Sequence, residues 1–516
     1  MSGGLLQIAA FGAQDIYLTG NPEITFFKTI YKRHTNFAIE AFEERLGGNV
    51  DFGQNNIICK LSKKGDLLSK IYLKMEISGK SLNGKFAFVS KIGHALINYI
   101  DLKIGGSLIE RQYGDWFNIW QELTNDKSKD KSYNELIGNI TKATTLNNKD
   151  INLSLFIPLN FFFCKNIGLA LPIVSLNLHD IEFIFSFRKG YELVIKEYST
   201  TRLEISMKNV SLLTNYIFLD TEERKKFTEN NHEYLIEQVQ FNGVNKITNE
   251  IENIKMIFNH PCKGIYWIIN NSNNINEKLY LSTDLTTATK RVVLAYSKLN
   301  PINNNLIGNY GDKLTAVDNV VSGSRLFTLI QGATIKRITN MEPTIDDINV
   351  SILLTSKELS IDVEELLDDF SEFHSDGLNN PIRNIYGDGS LNKDILLYQW
   401  DNYNLYIDKT EELMINSELN LNGQNRVIRQ PNNYFNLLQP YECHKRIPTK
   451  GIYTYSFSLN PEEHQPSGTC NFSRIDNSRL KLNLIAEANN SELYLYAINY
   501  NIFRVMSGLG GLAYYN

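Results

Sequence analysis

Short runs of alternating apolar and polar residues dominate this chain. In HEYLIEQVQF (232–241), Tyr234, Ile236, Gln238 and Gln240 fall on one face, and Leu235, Glu237, Val239 and Phe241 on the other, because successive strand residues point to opposite sides. That pattern is a two-faced strand with an imperfect polar side. LHDIEFIFSF (178–187) places Ile181, Phe183, Phe185 and Phe187 on one side. KGIYTYSFSL (450–459) sets Ile452, Thr454, Ser456 and Ser458 against Tyr453, Tyr455, Phe457 and Leu459. ISMKNVSLLTNYIFL (205–219) and SELYLYAINYNIFRVM (491–506) are longer β-prone runs. Gly, Asn and Asp turns such as KIGGSLIE and LNGQNR separate them, so antiparallel β architecture is predicted.

Helical spacing is rare. DWFNIWQEL (115–123) carries Trp116, Ile119, Trp120 and Leu123 at helical intervals, and SIDVEELLDDF (360–370) has Asp362 and Glu365 in capping-box register. In NPEITFFKTIYKRHTNFAIEAFEERL (21–46), Asn21 suits an N-cap and Pro22 the first helical position. Phe26, Phe27, Ile30, Tyr31 and His34 then share one side of a short amphipathic helix, with Lys28, Lys32 and Arg33 mostly off that stripe. From Asn36 the period shifts toward two, with Phe37, Ile39 and Ala41 on one face.

The polar stretch LDTEERKKFTENN, near 219–232, separates two strong strand signals. The expected organisation is an N-terminal segment 1–35, a first β unit 36–219, a linker 220–231 and a second β unit 232–516. The second unit is interrupted by a long Asn-rich loop insertion over about 272–420. Loops of that length are usually functional or disordered. No short-period repeat is visible.

Composition narrows the function. With 42% hydrophobic and 21% charged residues, the chain is ordinary globular protein. Lys and Arg number 52 against 57 Asp and Glu, a formal charge of −5. That balance argues against a dedicated nucleic-acid binder, although residues 21–46 mix aromatics and cations as single-strand binders do. The five cysteines form no CxxC pair, and their odd number fits a reducing compartment. No signal peptide is expected from MSGGLLQIAAFGAQD. The most apolar run, LFIPLNFFFCKNIGLALPIVSLNL, is broken by Pro158, Asn160, Lys165, Asn166 and Pro172, and so is not read as a membrane span.

No catalytic, cofactor-binding or metal-ligating set emerges. HExxH, GxSxG, the P-loop and zinc spacings are missing from the sequence. Cys443 and His444 are neighbours that would diverge on a strand. The glycine-rich end MSGLGGLAYYN reads as close backbone packing, not a phosphate cradle. The pairs Glu43/Glu44 and Asp368/Asp369 read as solvated charge, since catalytic carboxylates must flank one bond. Sequons at Asn139, Asn152, Asn209, Asn270, Asn349, Asn471 and Asn489 are what an Asn-rich chain produces by chance.

Several blocks carry a resemblance. GLLQIAAFGAQDIYLTGNPEITFFKTIYKRHTNFAIE resembles the N-terminal signature of the major capsid proteins of nucleocytoplasmic large DNA viruses. The similarity recurs in YGDWFNIWQEL, NIGLALPIVSLNLHDIEF, NYIFLDTEERKKF, HEYLIEQVQF, FNHPCKGIYWIINN, LNGQNR, QPSGTCNFSRIDNSRLKL and YAINYNIFRVMSGLGGLAY, in order along the chain.

This resemblance implies an all-β fold of two tandem eight-stranded antiparallel jelly-roll sandwiches, with short helices and long loops in the connections. It implies a structural protein and not an enzyme: homotrimeric, pseudo-hexagonal capsomers tiling an icosahedral shell. Long loops form outer towers in this family, and 272–420 is the candidate. The N-terminal segment is expected at the inner base, making Phe26, Phe27, Lys28, Tyr31, Lys32 and Arg33 the inner-face assembly contacts. Implied partners are the chain itself, neighbouring trimers, minor capsid proteins and the inner viral membrane, with no specific nucleic acid and no cofactor. The implied location is the virion, assembled in the host cytoplasm. Competing readings are a minor-capsid or scaffold paralogue, a glycan-binding β-sandwich module, and a β-rich hydrolase.

Overall fold

A computed structural model describes residues 2–84, 86–144, 148–196, 202–270, 400–404 and 412–515. In chain order the first half supplies β1 (Phe37–Arg45), β2 (Ile57–Lys60), β3 (Leu67–Ser81), β4 (Phe86–Phe88), β5 (Ile97–Ile104), β6 (Ser107–Tyr113), β7 (Ile151–Pro158), β8 (Leu171–Pro172), β9 (Ile181–Phe187), β10 (Val194–Lys196) and β11 (Leu203–Leu219). The second half supplies β12 (His232–Lys246), β13 (Ile251–Lys255), β14 (Pro261–Asn270), β15 (Met414–Leu421), β16 (Gln424–Pro431), β17 (Ile452–Ser456), β18 (Cys470–Asn471), β19 (Ser478–Leu484), β20 (Glu492–Met506) and β21 (Leu509–Leu512).

These strands form two sandwiches of the same design. In the first, a sheet ordered β1-β11-β3-β7 faces one ordered β2-β9-β5-β6. In the second, β12-β20-β14-β17 faces β13-β19-β15-β16. Taking β1, β2, β3, β5, β6, β7, β9 and β11 in turn, each holds the place of β12, β13, β14, β15, β16, β17, β19 and β20. The pairings are antiparallel throughout. Eight principal strands per sandwich make the expected double jelly roll. The duplication exists in strand order although no repeat is visible in the residues.

Alternation explains the layers. Along β3, Ile71, Leu73, Met75 and Ile77 are buried while Lys70 and Glu76 are exposed. Along β7, Ile151, Leu153, Leu155 and Ile157 point inward. The second core is built the same way, from Leu480, Leu482 and Leu484 of β19 facing Ile265, Trp267 and Ile269 of β14. β9 departs from simple alternation. Ile184 and Ser186, off the expected apolar side, are buried together with Phe183, Phe185 and Phe187.

Between the sandwiches lies a third cluster, made by the helix Gly114–Thr124. This is the helix expected over 115–123. Trp116, Ile119, Trp120 and Leu123 are buried on one apolar stripe, as i, i+3, i+4 and i+7 spacing requires, while Phe117 is buried in the core of the first sandwich. The stripe packs on Val239, Tyr266, Ile268, Ile452, Tyr496 and Ile498 of the second sandwich. The Trp116 ring lies 5.5 Å from Trp120, 5.3 Å from Tyr266 and 5.5 Å from Tyr496. Gly114 opens the helix where a Cβ would sit 2.2 Å from the Ile97 carbonyl oxygen and 2.3 Å from that of His94. No larger residue fits that strand-to-helix corner.

Three expectations need correction or limits. The helix over 22–34 is not formed. Asn21 has φ of 49°, incompatible with the extended N-cap conformation, and residues 22–25 and 29–36 are irregular. A lone helix that short is marginal without a packed face, and none of the described residues covers this stripe. Short helices form earlier instead, at Gly3–Ala9 and Ile16–Thr19. The insertion placed at about 272–420 is not loop to its end, since Met414–Leu421 is a central strand of the second sandwich. The helix expected over 360–370 lies outside the described residues. The glycine-rich end does pack closely: it forms β21 against β20, and a Cβ on Gly510 would lie 2.5 Å from Leu176.

The helix cluster predicts that Trp116→Ala costs about 3–5 kcal/mol in denaturant unfolding, the range for deleting a buried large aromatic. A loss below about 1 kcal/mol would show that this cluster does not hold the sandwiches together.

Candidate functional site

Among the described residues, a connected group of buried charges lies in the seam between the sandwiches. Glu237 of β12 is central, with 4% of its side chain exposed. Its Oε1 accepts from Lys263 Nζ of β14 at 2.6 Å, and its Oε2 from Lys165 Nζ of the first sandwich at 3.1 Å. Burial pushes the Glu237 carboxyl up, but the two lysines outweigh burial and hold it below its ordinary value. Lys263 also donates to the Glu463 carbonyl at 2.7 Å. Burial wins for Lys263, whose ammonium is shifted down despite Glu237.

Beside this triad sits Glu110 of β6. Its Oε1 accepts from Gln112 Nε2 at 2.8 Å, and its Oε2 accepts from the Phe162 amide at 3.4 Å. Burial pushes Glu110 up to about 7, against the opposing pull of Lys165 and these hydrogen bonds. Gln238 ties the two sheets directly. It donates to the Ile109 carbonyl and accepts from Asn501 Nδ2 at 2.9 Å. Glu237 and Gln238 of β12 are therefore seam positions, while Gln240 bonds to Asn259 within its own sandwich. A cavity of about 100 Å³ adjoins the seam, lined by Phe162, Lys165, Asn166, Leu169, Glu237, Glu462 and His464.

A second charged lock lies at the far end of the aromatic helix. Lys91, left-handed at φ 50°, donates to Asn118 Oδ1 at 2.7 Å and Glu122 Oε1 at 2.5 Å, and lies 3.2 Å from Asp401 Oδ2. Ser90 donates to Asp401 Oδ1 at 2.8 Å, and Asn118 to the Tyr403 hydroxyl at 2.7 Å. Residues 400–404, which lead into β15, are thus stapled to the first sandwich. Sequence patterning missed both locks, because their members are far apart in the chain. In the first lock, Glu237 and Lys263 leave the signal of an isolated charge within a strand run; Lys91 and Asp401 leave none.

These groups neutralise one another. Glu237 is matched by two ammonium groups, and Lys91 by two carboxylates. The arrangement fixes geometry and does not present a nucleophile to solvent. Among the described residues no cluster of three or more His, Cys, Asp or Glu side chains could hold a metal ion. Cys443 ends the helix Gln439–Cys443 instead of lying on a strand, and His444 Nδ1 lies 3.1 Å from Glu462 Oε1.

The six expected assembly residues lie elsewhere. Phe26, Phe27 and Tyr31 are 90%, 98% and 77% exposed, and Lys28, Lys32 and Arg33 are exposed beside them. The structure brings them together only as one exposed stretch of chain. It continues into the exposed Phe37 and Ile39 of β1, which among the described residues is an edge strand paired to β11.

Glu110 predicts a pH dependence. Its folded value of about 7 lies above its ordinary 4.5, so the folded chain binds a proton that the unfolded chain releases. That stability is complete below about pH 4.5 and is lost as pH rises through about 7, in all ~3 kcal/mol. Glu110→Gln, which cannot ionise, should match the parent chain at about pH 4 and exceed its unfolding free energy by about that amount at about pH 8. Equal pH slopes in the two proteins would refute the assignment.

Comparison with known proteins gives the site its context. Residues 25–220 match a family described as the major capsid protein N-terminus, and residues 223–511 match one described as the large eukaryotic DNA virus major capsid protein. The chain is 36% identical to the major capsid protein of Phaeocystis pouchetii virus and 32% identical to capsid protein 1 of Acanthamoeba polyphaga mimivirus, with all of both chains covered in each case. Among solved structures it resembles the quasi-atomic model of the PBCV-1 virus capsid, with a TM-score of 0.64 and 26% identity over 95% of this chain and 100% of that one. The Faustovirus major capsid protein shares the fold at a TM-score of 0.60 and 11% identity, over 98% and 96% of the two chains. The seam therefore belongs to a structural component of a virion and not to an enzyme, and the chain is a member of the large eukaryotic DNA virus major capsid protein family.

Proposed function

We propose that three copies of this chain form a capsomer of nearly hexagonal outline, and that such capsomers tile an icosahedral shell. The observation that carries this reading is the buried seam. It holds two sandwiches of identical strand order as one rigid body, so three chains present six similar lobes. The lobes are 36–219 and 232–516, joined by the linker 220–231. Trimer interfaces of the obligate kind commonly exceed ~2,000 Å². Contacts between capsomers can be individually weak, since a closed shell repeats them many times.

The exposed stretch Phe26–Arg33 is the inner-face contact in this proposal. Its aromatics supply area, and Lys28, Lys32 and Arg33 supply charge, for minor capsid proteins or the inner viral membrane. Assembly takes place in the host cytoplasm, where free cysteines stay reduced. A minor-capsid or scaffold paralogue would share the fold but would not dominate the protein of purified particles.

Light scattering of the purified chain is expected to return three times the chain mass of 59.1 kDa, with six-lobed outlines in negative stain. A monomer persisting at high concentration would contradict the proposal. Replacing Phe26, Phe27 and Tyr31 together by serine should leave the Tm of the isolated protein within about 1 °C, as expected for exposed positions, while reducing incorporation into particles. A large fall in Tm would mean that the stripe packs on its own subunit.

A further inference from the structure

Cys262 and Cys470 stand directly opposite one another where β18 pairs with β14. Directly opposed residues of an antiparallel pair project to the same face, with Cα atoms ~4.5–5.5 Å apart. That spacing falls within the ~4.4–6.8 Å that a disulfide spans. Both side chains pack in the core cluster of the second sandwich, and both are free thiols. Cys262 is fully buried, its Sγ 3.5 Å from the Asn259 carbonyl oxygen and 3.6 Å from that of His260. Cys470 is only partly buried and is the thiol that solvent can reach.

We propose that this pair is an oxidation site, at which a cross-strand disulfide between Cys262 and Cys470 forms when the folded protein meets a small-molecule disulfide such as glutathione disulfide. The Cys470 thiolate attacks one sulfur of glutathione disulfide, whose S–S bond breaks and releases one glutathione. The Cys262 thiolate then attacks Cys470 Sγ and displaces the second glutathione. Two protein thiols lose two protons and two electrons, and glutathione disulfide is reduced to two thiols. Burial pushes both cysteines above their ordinary values, so exchange is slow at neutral pH and faster in mild alkali.

The bond would act on a defined element. β18 is two residues long and pairs with β14 at its edge. It follows the loop 457–469, whose Glu462 and His464 line the seam cavity. That loop is already tied at its start, where the Phe457 amide donates to the Lys263 carbonyl at 2.7 Å. A Cys262–Cys470 bond ties its other end to the residue next to Lys263. Oxidation would thereby fix one wall of the seam covalently. This inference is independent of the trimer.

The test uses the full chain, held at about pH 8 with excess glutathione disulfide until reaction stops, where thiol exchange is fast. The mixture is then blocked with N-ethylmaleimide and read by intact mass and peptide mapping. The expected result is a 262–470 crosslinked peptide, two fewer blocked thiols and a Tm raised by several degrees. Cys470→Ser should lose the crosslink and the rise, while Cys443→Ser keeps both. A stable glutathione adduct on Cys470 without crosslink, two unreacted thiols, or a Cys443–Cys470 crosslink would each overturn the proposal.

Discussion

Glu237 sets the terms for the rest of the molecule. A carboxylate this deeply buried costs several kcal/mol unless opposite charge meets it. Here Lys165 comes from one sandwich and Lys263 from the other. Sliding or rotating either sandwich would separate a buried charge from its partner. The aromatic helix Gly114–Thr124 contributes area, which is tolerant of small displacements. The charges contribute register, which is not. Together they turn two domains that could hinge into a single unit.

The same contrast explains what could be read from residues alone. Strands such as β3, β7 and β20 are legible because one face is wet and the other dry. The aromatic helix is legible because its four anchors recur at helical spacing. β12 was only half legible, since Glu237 and Gln238 look like solvent positions and are in fact seam positions. The N-terminal stripe misled for the opposite reason. Phe26, Phe27, Ile30 and Tyr31 have the periodicity of a packed helix but stand exposed, with no surface among the described residues to pack against.

The pairing of Lys91 with Asp401 was beyond reach of any local reading. Its members are 310 positions apart, and neither lies in a periodic run. The repeated strand order was equally hidden. Alternation constrains residue class and leaves identity free, so two copies of one topology can lose all sequence likeness and keep their sheet order. The family resemblance supplied that architecture, whereas periodicity reached only antiparallel β.

The lock at residues 400–404 carries position from one sandwich to the other. The connection between β14 and β15 departs from one central strand and returns through a stapled segment to another. Both of its ends are held by groups that lie outside it. Ser90, Lys91 and Asn118 of the first sandwich fix where the chain stands before it enters β15, so a change at any of the three is felt in a central strand of the second sandwich.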